Sequence, residues 1–196
     1  QICMRANEWQ DPKNYASTGR ATLLTQIGIM DGDGQLLGPD EMGEIVLSGD
    51  LVMTGYYKMP DKTAETIIDG WLHTGDIGYI DSRGYVFIKD RIRDVVITGG
   101  FNVYPSDVEA VLGRHPDIRE CVVFGVADEK WGEAVHAAVE LHDGATTSPA
   151  DIIEFVKQQL DSVKAPKAVH ITQSLPRSPV GKVLRRAAKE LFAQGG

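Results

Sequence analysis

Residues 89–112 read KDRIRDVVITGGFNVYPSDVEAVL, and this stretch decides how the chain is divided. Five of its first six residues are charged, and this stretch lies between two apolar β-rich runs, YVFI from Tyr85 and DVVIT from Asp94 to Thr98. A charged stretch set between two segments that each carry an apolar pattern is a natural joint between domains. The expected parts are therefore residues 1–90 and 91–196. DVVIT is apolar and β-branched and predicts a strand. Gly99 and Gly100 follow it, where the backbone needs room or a positive φ. PSDVEAVLGRHP predicts a helix: Ser106 and Glu109 fit an S-x-x-E capping box, and Gly113 and Pro116 end it.

Downstream of this helix, ECVVFGV reads as a strand. AVHAAVEL alternates, with Val135, Ala137, Val139 and Leu141 on one face. SPADIIEFVKQQL predicts a helix capped by Ser148, with Pro149 at its first position and Ile152, Ile153, Val156 and Leu160 as its apolar stripe. In VLRRAAKELF the residues Val183, Leu184, Ala187, Ala188, Leu191 and Phe192 repeat at helical spacing. Upstream, residues 15–90 read as short strands between turns at DGDG (Asp31 to Gly34), Gly38-Pro39, Asp69-Gly70 and Arg83-Gly84, with one short helix after Pro60. The fold class expected is α+β: a β-rich first part followed by a small α+β unit.

The chain has 196 residues, 42% of them apolar and 24% charged, which excludes a wholly disordered chain. Its 20 Lys and Arg against 28 Asp and Glu give a net charge of −8, so no nucleic-acid partner is expected. No apolar run is long enough for a membrane span. Cys3 and Cys121 are far apart and read as small buried hydrophobes of a reduced compartment. Gln1 stands first, and QICMRANEW has no basic start before an apolar core, so the chain reads as a piece of something longer rather than one opening with a signal peptide.

Several chemistries lack their residues. Gly181-Lys182 ends like a phosphate loop, but Pro176 and Val183 stand where that loop needs Gly and Ser or Thr. There is no H-E-x-x-H, C-x-x-C or G-x-S-x-G, and the five histidines are scattered. His136 and His142 read as solvent-side strand residues, and no metal site is expected. Three segments remain. GWLHTGD (Gly70 to Asp76) is either a turn with a buried Trp71 and a structural Asp76, or a carboxylate presented after Gly to a ribose diol. KDRIRDVVITGGFNVYP is either a charged linker with a glycine turn, or an Arg at a joint that holds a nucleotide beside a pair of glycines that lets a thin ligand pass. LPRSPVGKVLRR (Leu175 to Arg186) delivers a single Lys from a Pro- and Gly-bearing loop, where a compact point charge could reach an anionic reaction centre. Arg185, Arg186 and Lys189 read as the solvated face of the last helix.

Together, in this order, the segments resemble the C-terminal part of the adenylate-forming enzymes: acyl- and aryl-CoA synthetases, luciferases and peptide-synthetase adenylation domains. GYYKMPDKTAETIIDGWLHTGD is similar to the family's approach to its Thr-Gly-Asp motif, GYVFIKDRIRDVVITGGFNVYPSDVEAVL to its hinge and glycine loop, and SPVGKVLRR to its closing Gly-Lys motif. The resemblance runs from about Ser17 onward. It implies that 1–90 is the β-rich end of a large AMP-binding N-terminal domain and that 91–196 is its mobile C-terminal domain.

The resemblance also implies a two-step reaction. A carboxylic acid attacks the α-phosphate of ATP, and a thiol, usually coenzyme A, then displaces AMP. By resemblance Asp76 binds the ribose hydroxyls and Arg91 assists. Asn102 lies near the adenylate, Lys182 bridges carboxylate and phosphate, and Gly99 and Gly100 line the pantetheine path. Arg93 falls at the hinge, where family members often carry Asp or Lys. GGFNVYPSDVE favours the CoA ligases, with an adenylation domain that loads a carrier protein, or a non-catalytic interaction module, as alternatives. Implied cofactors are ATP, coenzyme A and Mg2+ in a full-length, cytoplasmic enzyme, with none tightly bound to this piece. The family's phosphate loop, its Thr-Glu motif and most of its acid pocket precede the matching segment, so the acid is not named, and the piece alone is expected to be inactive.

Overall fold

In the computed structural model, which describes residues 2–193, the chain separates into two compact units, Gln1–Arg93 and Asp94–Gly196. The division falls after Arg93 rather than after residue 90. Gln1 and residues 194–196 lie outside the described residues.

The first unit is built from antiparallel strands, as its turn signals dictate. A two-residue pair, β1 (Ile2–Cys3) and β2 (Arg20–Ala21), stands beside a five-stranded sheet. That sheet contains β3 (Gln26–Met30), β4 (Gly43–Ser48), β5 (Ile67–Ile68), β6 (Trp71–Ile80) and β7 (Val86–Arg91), in the order β3-β4-β6-β5 with β7 also on β6. Aspartates close the tight turns. Asp31 Oδ1 accepts from the N–H of Asp33 and Gln35 at 2.9 and 2.8 Å, and Asp81 Oδ1 accepts from Arg83 and Tyr85 at 3.0 and 2.9 Å. The short helix α1 (Pro60–Thr66) starts on proline, whose missing N–H costs nothing there. Ile29, Ile45, Leu47 and Val86 form the buried core. Cys3 is exposed, against the expectation of a buried thiol, because its strand lies in the two-residue pair outside the main sheet.

In the second unit, β8 (Val96–Thr98) and β9 (Phe101–Val103) form a hairpin around Gly99-Gly100. Then come α2 (Pro105–Leu112), β10 (Ile118–Asp128), β11 (Gly132–Leu141), α3 (Pro149–Gln159), β12 (Ala168–Thr172) and α4 (Arg185–Phe192). β10 pairs antiparallel along one edge of β11. The other edge is shared by β12, parallel over His136–Glu140, and by β8 at Gly132. One face of β11 turns Val135, Ala137 and Val139 into a core shared with α2 and α3 through Val108, Leu112, Ile152 and Val156. The other face is also covered: Ala138 packs with Phe124, Leu175 and Ala188 of α4.

Three expectations change in this unit. His136 is half-buried rather than solvated; its Nδ1 lies 3.3 Å from His170 Nε2, and His170 stacks on Phe192. Burial and the facing His170 push the His136 pKa down, against a pull from Asp128, and burial lowers that of His170. Arg185 is not on the solvated face but ion-paired to Asp94 and Glu109. Ser106 does not cap α2. Tyr104 occupies the cap and Pro105 the first position, so Ser106 falls inside the helix, and Glu109 turns outward from the box to accept from Val123 and Arg185. The Ser148 cap of α3 does form, with Asp151 returning the bond to complete a capping box.

Candidate functional site

In the first unit, the candidate site is the Thr74-Gly75-Asp76 segment of β6. Gly75 has φ +73, a conformation that opens the strand at this point. Its neighbours hold it in place. Thr74 Oγ1 donates to the carbonyl of Ile45 at 2.6 Å and accepts from the Asp76 N–H at 3.1 Å. Glu44 grips the segment twice: Oε1 accepts from the Gly75 N–H at 2.8 Å, and Oε2 lies 2.8 Å from His73 Nδ1. Asp76 is the register partner of Arg91 across β6–β7, and Arg91 Nε stands 3.4 Å from Asp76 Oδ1. The Asp76 side chain keeps 32% of its surface exposed. A carboxylate fixed by its backbone and partly open can accept from two adjacent hydroxyls, with the neighbouring guanidinium balancing charge.

In the second unit, Gly99 and Gly100 have φ +57 and +82, the pair of positive values that a two-residue hairpin turn needs. They serve different purposes. A Cβ on Gly99 would sit 3.0 Å from the Trp131 ring, whereas one on Gly100 would meet nothing within 4 Å. Gly99 N–H donates to the Trp131 carbonyl at 2.9 Å, and Glu133 Oε2 accepts from the Ile97 N–H at 3.0 Å, which ties the hairpin to β11. Asn102 is exposed on β9 opposite Ile97.

Lys182 lies on a second hairpin of the same unit, between β12 and α4. The turn Ser178–Gly181 is closed by the Gly181 N–H donating to the Ser178 carbonyl at 2.8 Å. Ser178 Oγ accepts from the Lys182 N–H at 3.1 Å, and the Ser178 N–H donates to the Lys182 carbonyl at 2.8 Å. Arg177 bridges Val183, and the Leu184 N–H donates to the Pro176 carbonyl at 2.8 Å. Lys182 is exposed and its ammonium makes no ion pair among the described residues. Arg93 lies in the single helical turn Ile92–Asp94, exposed, at the end of the first unit.

The expected residues thus fall into three groups: Asp76 with Arg91, Gly99 and Gly100 with Asn102, and Lys182 on a hairpin of its own. Sequence reasoning missed Glu44, Glu109 and Arg185. The signal for Glu44 is a charged residue opening an otherwise apolar strand. The S-x-x-E pattern places Glu109 in a cap, and the run RRAAK places Arg185 in solvent. Among the described residues no group of three or more His, Cys, Asp or Glu is placed to hold a metal ion, and no helix is long and apolar enough to cross a membrane.

Residues 107–182 match the family model of the AMP-binding enzyme C-terminal domain, and the chain belongs to the adenylate-forming enzymes. It is 48% identical over 164 residues, 84% of its length, to the fatty acid–acyl-carrier-protein ligase ScoC of Streptomyces coeruleorubidus, covering 32% of that protein. It is 43% identical over 192 residues, 94% of its length, to the medium/long-chain fatty acid–CoA ligase FadD8 of Mycobacterium tuberculosis, covering 34% of it. The ATP-bound crystal structure of MatB from Rhodopseudomonas palustris matches with a TM-score of 0.86 at 37% identity, over 91% of this chain and 36% of that one. The chain therefore spans about a third of the length of the curated relatives it matches.

Proposed function

We propose that this chain is the C-terminal part of an AMP-forming acid–thiol ligase, with its first unit closing the AMP-binding domain and its second acting as the mobile C-terminal domain. In the first half-reaction a carboxylate oxygen of the acid bonds to the α-phosphorus of ATP, and the bridging P–O bond breaks to release pyrophosphate. Lys182 neutralises charge as the two anions approach. Asp76, with Arg91 beside it, accepts the ribose hydroxyls, and Asn102 lies near the adenylate. In the second half-reaction the sulfur of coenzyme A bonds to the acyl carbon, the thiol loses its proton, and the C–O bond to AMP breaks. The bare backbone at Gly99-Gly100 gives the pantetheine arm room, and Arg93 is the pivot between the two states. Mg2+ accompanies ATP, and we assign none of its ligands to this chain. The enzyme is expected in the cytoplasm.

The observation that carries this reading is the Lys182 hairpin. A lysine held at the backbone by its own turn, exposed and without an ion pair among the described residues, is available for an anionic reaction centre. The test is Lys182→Ala in the full-length ligase. Acid-dependent ATP–pyrophosphate exchange should fall by about 10²–10³, while thioester formation from supplied acyl-adenylate is largely spared. Equal retention of both steps would sink the assignment. The likeness to a carrier-protein ligase favours a second reading, in which the acceptor thiol sits on a carrier protein. Saturation of thioester formation by free coenzyme A separates the two. The chain alone should release no pyrophosphate with any acid.

A further inference from the structure

Leu175 is 2% exposed and leads directly into the Lys182 hairpin; its N–H donates to Glu140 Oε1 at 2.6 Å. Glu140 is a carboxylate on β11 with only 1% of its side chain exposed. Its other oxygen, Oε2, accepts from Arg119 through Nε at 3.1 Å and through Nη2. Burial pushes the Glu140 pKa up, but the Leu175 N–H and the two arginines outweigh it and hold the group below its ordinary value. A buried carboxylate needs a cation, and Arg119 supplies one.

Arg177 is a second cation on the same carboxylate, and its remaining donors point elsewhere. Nη2 reaches Glu140 Oε1 at 3.0 Å and Glu120 Oε2 at 2.5 Å. Nη1 donates to the carbonyl of Gly181 at 3.2 Å, the peptide that leads directly into Lys182. One planar fork thus joins a fixed, buried anion to the backbone beside the reactive lysine. Lysine has a long, freely rotating stem, so its reach is set by where its backbone is held.

We infer that Arg177 is a positioning residue for Lys182, clamping the Ser178–Gly181 turn to Glu140 so that the ammonium reaches the reacting anions at a fixed distance. This inference rests on the role proposed above for Lys182. A misplacement of about 1 Å at a reacting group can cost roughly 10²-fold in rate. Lysine at 177 keeps the charge but has no second arm for the Gly181 carbonyl.

The experiment compares Arg177→Ala, Arg177→Lys and Lys182→Ala in the full-length ligase by amide hydrogen exchange and by the two half-reactions. Arg177→Ala should speed exchange at Gly181, Lys182 and Leu184 and leave Ala137–Val139 of β11 unchanged. The kcat of pyrophosphate exchange should fall about 10–100-fold with the KM for ATP little changed, and the thioester step should be kept. Arg177→Lys should recover only a small part of the loss. Hairpin amides that stay as protected as in the parent overturn the clamp. So does an equal loss of both half-reactions with β11 deprotected, which marks a purely structural arginine. If Arg177→Ala does not fold, Arg177→Lys carries the same measurements. Unimpaired pyrophosphate exchange in Lys182→Ala overturns the role of the lysine and this inference with it; the exchange readout, which needs no activity, tells that failure from a failure of the clamp.

Discussion

Arg185, the first residue of α4, places two hydrogen bonds on the carboxylate of Glu109 in α2, at 2.9 and 3.0 Å, across 76 positions of sequence. Its other terminal nitrogen reaches Asp94 at 2.8 Å. Each side chain is 23–24% exposed, so these bonds are only partly screened by water. Arg185→Ala leaves Glu109 half-buried without its cation and should cost about 1–3 kcal/mol. For a unit of this size, each kcal/mol lowers the melting temperature by about 4–8 °C. Arg185→Lys keeps a charge but loses the fork and should fall between the two. Thermal unfolding of the three proteins checks this; a melting temperature unmoved by Arg185→Ala would show that the pair contributes nothing.

The facing imidazoles of His136 and His170 give the second unit an acid-sensitive term. Both have folded-state pKa values below the ordinary one, through burial first and then, at His136, the facing ring. The unfolded chain, with histidine near ~6.5, then binds more protons than the folded one. Stability is complete above that pH and declines as the pH falls from ~6.5 through the lower folded values. Denaturant midpoints between about pH 7 and pH 5 should fall in the parent and flatten in His136→Phe. Equal slopes in the two proteins would remove the pair as the cause.

At the glycine hairpin the two positions fail for different reasons. Gly100→Ala meets no neighbour but forces φ +82 on an L-residue, costing about 1–2 kcal/mol, and Gly100→Asn should cost less. Gly99→Ala adds a 3.0 Å approach to Trp131 and should be the worse of the two. A larger residue at Gly100 in the full-length ligase should impair thioester formation before adenylate formation. Loss of the same half-reaction as Lys182→Ala would end the two-state assignment.

Arg93 is exposed in a single helical turn where one unit ends, and Pro there fixes φ near about −65° and removes an N–H. If Arg93 is the pivot, Arg93→Pro stays folded and keeps one half-reaction while overall turnover collapses. Assays of both half-reactions beside the melting temperature decide this. Unchanged turnover places the pivot elsewhere.

The elements with a clean period or an unambiguous turn residue were readable in the sequence: the Ser148 cap, the positive φ at Gly99-Gly100, the DGDG and Arg83-Gly84 turns and the apolar face of AVHAAVEL, whereas the strand β9 that completes the glycine hairpin was not. What escaped depends on partners distant in sequence. Half-burial of His136 requires α4 to fold back over the second face of β11, and nothing in AVHAAVEL announces a second layer. Arg185 looked solvated because two arginines, an alanine pair and a lysine in a row fit a wet helix face; its carboxylates lie on α2 and before β8. Ser106 looked like a cap because the box pattern was complete, yet Pro105 at the first position moved the helix start two residues earlier. Asp76 and Arg91 were readable singly, but their direct pairing depends on strand register, and Glu44, which holds the Asp76 segment, lies on a different strand.

β11 has neighbours on both edges and apolar cores on both faces. No local fraying can expose the middle of such a strand, since releasing one edge or one face leaves the others in place. The amides of Ala137 to Val139 should therefore exchange only when the whole second unit unfolds, and their rate is a direct gauge of its global stability. Glu140 extends from the same strand, so the reference point for the Lys182 turn is set in the part of this unit that opens last.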